Sequence, residues 1–128
     1  MFDINTTLWG GFMIQSKGKC IYFSGDSGYG SHFGDIGKLF HNIDVALIEA
    51  GAYAPTWFMS QHHQDPDHAV KAFHDVGAKT FIPFHYGTFD SADEPMGEPI
   101  QKLTKLSIEG KIKNEIKILK LGELFSKM

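Results

Sequence analysis

Cysteine is almost missing from this chain. Cys20 is the only one among 128 residues, so no disulfide can close within it. A cationic excess is missing too: the formal net charge is −3, which leaves no electrostatic footprint for nucleic acid. No apolar run approaches the ~20 residues a membrane-spanning helix requires, so no transmembrane segment is expected. No basic stretch leads into an apolar core near the N-terminus, so no secretory signal is visible, and a cytoplasmic location is the expectation. Repeats, low-complexity segments and linkers are also lacking, which leaves a single domain over residues 1–128. Against these absences stand 42% hydrophobic and 21% charged residues, a balance that excludes a disordered chain.

The apolar runs are short and separated by turn chemistry. Residues 8–15 and Cys20–Phe23 flank Ser16-Lys17-Gly18-Lys19, the pattern of a β-hairpin. Cys20 opens the second of these strands as a small packed residue, which argues against a thiol nucleophile. Phe33, Ile36, Gly37 and Phe40 recur at helical spacing and predict a short helix over Ser31–Phe40, with Ser31 as candidate N-cap. Asp44–Ile48 is a buried-strand run, and Glu49–Asp65 reads as a long irregular stretch. Asp65-Pro66 opens a second helix: Asp65 caps it, Pro66 takes the first position, Val70, Phe73 and Val76 face inward, and Gly77 ends it. Lys79–Phe84 is the next strand and His85–Met96 a second irregular stretch. A third helix is expected over Glu98–Ile108, with Ile100, Leu103 and Leu106 inward. Gly110 breaks it, and Glu115–Leu121 alternates as a last strand. This order is an α/β layer pattern, one mixed sheet with helices on one face. The opposite face of such a sheet is apolar and must meet another layer.

Two polar loops carry the chemistry. Ser24-Gly25-Asp26-Ser27-Gly28-Tyr29-Gly30 follows the strand Cys20–Phe23, and His85-Tyr86-Gly87-Thr88-Phe89 follows Thr80–Phe84. Strand ends are where open α/β sheets place their sites. By itself Asp26 suits a turn cap as well as a metal ligand, and a lone histidine such as His85 is more often structural than a ligand. The glycine-rich loop lacks dinucleotide spacing and the Gly-Lys-Ser/Thr end of a P-loop, so a phosphate-cradling module is a poor fit. No serine sits in a nucleophile-elbow sequence. His62 and His63 are adjacent and cannot chelate as an i, i+4 pair; His63 divides evenly between substrate contact and structure, and His62 reads as structural. Glu49 ends a buried strand, where a carboxylate could serve a site; the favoured reading is structural, pairing with lysine or capping backbone amides. His32, His41, His68 and His74 read as solvent-facing or capping, and Asp90, Asp93 and Glu94 as a solvated acidic loop.

Five blocks, taken in order, resemble one family: Leu8-Trp9-Gly10-Gly11-Phe12, Phe23-Ser24-Gly25-Asp26-Ser27-Gly28-Tyr29, Gly51-Ala52-Tyr53-Ala54-Pro55-Thr56-Trp57-Phe58-Met59, His63-Gln64-Asp65-Pro66 and His85-Tyr86-Gly87-Thr88-Phe89. They resemble the metallo-β-lactamase superfamily, in particular its N-acyl-phosphatidylethanolamine-hydrolysing phospholipase D branch and the related bacterial Zn-dependent hydrolases. The resemblance covers nearly the whole chain and is weakest from Pro99 onward. It implies an αββα sandwich with two metal ions, usually zinc, at one edge between the sheets. It implies that Asp26 bridges the metals and serves catalysis, and that His85 binds one of them. It places His63 near the substrate as a catalytic and contacting residue, although Gln64 departs from the family's apolar residue. Tyr53, Trp57, Phe58 and Met59 would shape the pocket wall.

The family's His-x-His-x-Asp-His motif lies N-terminal to all these blocks, and no His-x-His occurs in this chain. The resemblance starts near Asp3-Ile4-Asn5 and implies the C-terminal half of the fold. A catalytic zinc takes about three protein ligands plus water, so Asp26 and His85 leave the site incomplete. The resulting expectation is the C-terminal part of a zinc-dependent hydrolase acting on a phosphodiester or ester, of a small-molecule or lipid-like substrate. It would be inactive unless complemented by the missing N-terminal half or a second copy of itself. The competing reading is a non-catalytic half-domain that dimerises or binds a partner through its uncovered sheet face.

Overall fold

Lys17 and Gly18 both take positive φ, 46° and 74°, and this tight turn folds β1 (Phe12–Ser16) back onto β2 (Lys19–Phe23) as an antiparallel hairpin. In this computed structural model, which describes residues 9–126, the rest of the sheet is parallel. β3 (Val45–Glu49), β4 (Thr80–Phe84) and β5 (Glu115–Ile116) add in chain order, giving β1-β2-β3-β4-β5. The crossovers carry α1 (His32–Leu39), then α2 (Thr56–Met59) with α3 (Pro66–Val76), then α4 (Glu98–Ile108).

Strand register decides which side chains meet the helices. Tyr22 pairs with Ala46, and Ala46 with Phe81, so all three point to one face. There they join Cys20 and Ile48 against Phe33 of α1, Phe73 and Val76 of α3, and Leu103 and Leu106 of α4. Phe73 stacks on Phe81 with ring centroids 5.2 Å apart. Full burial of such a side chain contributes about 1.5–3 kcal/mol. Cys20 is a free, buried thiol whose Sγ lies 3.2 Å from the sulfur of Met13, the packed residue its sequence position implies. Helix α3 forms as its ends dictate: Asp65 accepts the His68 amide at 2.8 Å, Pro66 takes the first turn, and Gly77 closes it in the left-handed region at φ 67°.

Five sequence expectations need correction. The first strand begins at Phe12, not position 8, and Leu8 lies outside the described residues. Ser31 stands at the N-cap of α1 but makes no side-chain cap bond, because its backbone is already helical. Helix α2 interrupts the stretch read as irregular; four residues are too few to show a period. Ile100 is 37% exposed, since Pro99, Leu103 and Leu106 form the buried side of α4. The last strand pairs only over Glu115–Ile116, with one further bond from the Lys117 amide to Phe81 at 2.8 Å.

The opposite face of the sheet is apolar, as the layer argument requires. Phe12 and Ile14 are 66% and 56% exposed. Phe23 stacks on Phe84 with ring centroids 4.9 Å apart. A groove of about 520 Å³ runs over Ile21, Val45, Leu47 and Ile82, and Phe125 of the C-terminal segment also lines it. Among the described residues, no helix is long and apolar enough to cross a membrane.

Candidate metal centre

Three consecutive parallel strands deliver polar groups at their C-terminal ends. After β2, the Ser24 amide bonds to Leu47 at 2.9 Å, and the chain then turns to present Asp26, whose side chain is largely exposed. Glu49 ends β3 and is 0% exposed. His85 follows β4 directly with φ 66°, a left-handed conformation uncommon outside glycine. His63 comes from a different element: its amide bonds to the Met59 carbonyl at 2.9 Å, so the turn that ends α2 carries it to the same place.

Glu49 lies at the centre of this group. Its Oε1 accepts the Ser27 amide at 2.6 Å, and its Oε2 lies 2.9 Å from His63 Nδ1 and 3.4 Å from His85 Nδ1. The His85 atom is buried and has no hydrogen-bond partner of good geometry. The two imidazoles stack, with ring centroids 4.9 Å apart and planes 17° from parallel. His85 Nε2 is 3.6 Å from Asp26 Oδ1. Burial pushes the Glu49 carboxyl up to about 8; the Ser27 amide and His85 pull it down, and Asp26 adds a push upward.

Asp26, His63 and His85 each offer one ligand atom, and these lie within 4.8 Å of one another. One carboxylate and two imidazoles form a donor set that zinc accepts. The chemistry of this converging donor set therefore fits a metal ion, with donors for about one zinc shell. The fold thus joins the two residues expected as ligands, Asp26 and His85, and adds His63.

The aromatic residues separate. Tyr53 is buried, bonds through its hydroxyl to Glu98 and accepts from Lys102 at 3.2 Å. Burial, then the Glu98 bond, push its phenol up to about 12. With Tyr29, Ser60 and His68 it lines a recess of about 270 Å³ beside His63. Trp57 is 82% exposed, Phe58 is also exposed and Met59 is half-buried; none of the three lines that recess.

Sequence reasoning underrated two carboxylates. Glu49 caps a backbone amide as expected, but it also faces both histidines. Glu94 is not merely solvated: it accepts the amides of Ala52 at 2.6 Å, Tyr53 at 3.3 Å and Ala54 at 2.9 Å, pinning the loop after β3. Asp90 and Asp93 are exposed, as read. His62 and His41 are exposed, His32 meets Ser27 Oγ at 3.0 Å, His68 pairs with Asp65, and His74 accepts the Lys113 amide at 3.0 Å.

A mixed sheet covered by helices on one side, with histidine and aspartate at its strand ends, is the arrangement of metallo-β-lactamase-fold proteins. The comparisons agree: the profile described as "Beta-lactamase superfamily domain" matches residues 1–86. The chain belongs to the metallo-β-lactamase superfamily, in its branch of phospholipase D-type and related hydrolases. N-acyl-phosphatidylethanolamine-hydrolyzing phospholipase D 1 of Caenorhabditis elegans is 39% identical over 111 residues, which cover 81% of this chain and 30% of the nematode protein. A UPF0173 metal-dependent hydrolase of Pelotomaculum thermopropionicum is 34% identical over 116 residues, 88% of this chain and 43% of its own length. Igni18, a metallo hydrolase from Ignicoccus hospitalis, shares the fold with a TM-score of 0.62 at 24% identity, over 88% of this chain and 43% of its own. The chain thus spans less than half the length of each of these proteins.

Proposed function

We propose that this chain is the C-terminal part of a zinc-dependent hydrolase that opens a phosphodiester or ester bond. The observation that carries the reading is the convergence of Asp26, His63 and His85 at the strand ends. Asp26 and His85 would hold the metal, and His63, beside the recess lined by Tyr53, would also contact substrate. Zinc in such a site supplies Lewis-acid polarisation and water activation near neutral pH. The protein's own part is to hold the donors at the strand ends and to bind the substrate. The exposed rings of Trp57 and Phe58, 5.7 Å apart, offer apolar surface on the helix that leads to His63, which suits a lipid-like substrate. The apolar sheet face opposite the helices supports a second layer there, supplied by an N-terminal half or by a second copy. The lone buried Cys20 is compatible with a reducing compartment such as the cytoplasm.

The test is complementation. The chain is mixed with zinc and bis(p-nitrophenyl) phosphate, with and without a segment from a relative that carries the His-x-His-x-Asp-His motif. Turnover is expected only in the mixture and should fall at least ~100-fold with His85→Ala, given the weight of a metal ligand. Full turnover by the chain alone would show that its site is complete. A stable complex without turnover would sink the hydrolase reading. The competing half-domain reading predicts that stable complex.

A further inference from the structure

We infer that Glu49 is a positioning residue: its buried carboxylate holds the Nδ1 edge of His63 and faces that of His85, leaving His85 Nε2 toward Asp26. The inference rests on reading Asp26, His63 and His85 as metal donors, and it adds a residue that lies outside that donor set.

Glu49 is wholly buried at the end of β3, and no lysine or arginine pairs with it among the described residues. An ionisable group in that setting is unfavourable, and an apolar side chain would pack the position at lower cost. Its two oxygens are instead divided between two tasks. Oε1 takes the Ser27 amide at 2.6 Å, which anchors the loop that carries Asp26. Oε2 faces His63 Nδ1 at 2.9 Å and His85 Nδ1 at 3.4 Å. A carboxylate can only accept, so it selects the Nδ1–H form of an imidazole and leaves Nε2 with its lone pair. His85 Nε2 then stands 3.6 Å from Asp26. Carboxylates behind metal-binding histidines fix the tautomer in this way. Here a single one bonds to His63, faces His85 and anchors the aspartate loop.

Glu49→Gln tests this with a sharp consequence. The Ser27 amide is always a donor, so the glutamine oxygen must take it. The glutamine NH₂ must then face His63 Nδ1 and force that nitrogen to accept. The proton moves to Nε2. Long-range ¹H–¹⁵N spectra of the full chain without metal, at pH 9, read this directly. That pH lies above the ordinary carboxylate and imidazole ranges. The wild type is expected to show His63 as Nδ1–H, Glu49→Gln as Nε2–H, and Glu49→Asp as Nδ1–H again. A wild-type His63 protonated on Nε2 overturns the inference even if the glutamine variant fails to fold. An unchanged tautomer in a folded Glu49→Gln chain also overturns it. Cobalt(II) titration followed by visible absorption separates this from the metal reading. A loss of about 10- to 100-fold in affinity is expected for Glu49→Gln. Equal cobalt affinity in both chains overturns the inference. No cobalt binding by either chain, with the tautomer switch present, supports positioning by Glu49 and sinks the metal reading.

Discussion

Gly51 passes so close to His85 that a Cβ on Gly51 would lie 2.1 Å from the His85 carbonyl oxygen. The contact ties the exit of β3 to the exit of β4 just where His85 takes its positive φ. The site is therefore shaped by backbone packing as well as by its side chains.

Gly51→Ala forces that contact apart. Overpacking of this kind destabilises by about 1–3 kcal/mol. Urea denaturation should show the loss, and the His85 ring resonances should shift with it. A variant with wild-type stability and an unmoved His85 would contradict the contact.

Gln64 points the other way. Its side chain is buried, and neither amide atom has a hydrogen-bond partner among the described residues. An unsatisfied buried group costs about 1–3 kcal/mol. Gln64→Met keeps the length and removes the polar atoms, so thermal unfolding should move to higher temperature. A lower midpoint would show that the amide is satisfied in solution.

Glu94 gathers three amides of the loop after β3, from Ala52, Tyr53 and Ala54. Glu94→Ala should destabilise the chain by roughly 2 kcal/mol, the scale of a hydrogen bond to a charged group. Hydrogen exchange should accelerate at those three amides more than in β3 itself. Uniform exchange across the sheet would assign the loss to global unfolding instead.

Asp44 gives a pH dependence. Lys79 at 2.8 Å and the Cys20 amide at 3.0 Å hold its carboxyl below the ordinary value of 3.8. A depressed carboxyl stabilises the fold at pH values above its unfolded pKa, and this contribution is lost as pH falls through the folded pKa. The stability gap between wild type and Asp44→Asn should be full at pH 5 and above and shrink below pH 3.8. Urea midpoints at pH 6, 5, 4 and 3 measure it. A gap that widens toward pH 3 would reverse the assignment.

What the sequence disclosed depended on the range of each interaction. Asp65, Pro66 and Gly77 mark the ends of α3 by local chemistry, and the helix lies where they place it. Asp26 and His85 were legible as strand-end residues because short apolar runs precede them. The partners of Glu49 were not legible, because Ser27, His63 and His85 come from three other segments and meet it only in the folded sheet. Glu94 was hidden for the same reason, its amide partners lying 40 to 42 residues away. α2 is too short to show a period, and the alternation over Glu115–Leu121 continued past the point where β4 stops pairing.

The strand order has a consequence for how this site can vary. Asp26 follows β2 and His85 follows β4, with Glu49 on β3 between them. Neighbouring strands lie ~4.8 Å apart, so the sheet itself measures the distance between the two outer residues. The crossovers through α1 and α3 can lengthen or shorten on the covered side without changing that span. The strands have no such tolerance. A one-residue slip of β3 would send Glu49 to the helical face, and Asp26 and His85 would keep their spacing but lose the group between them.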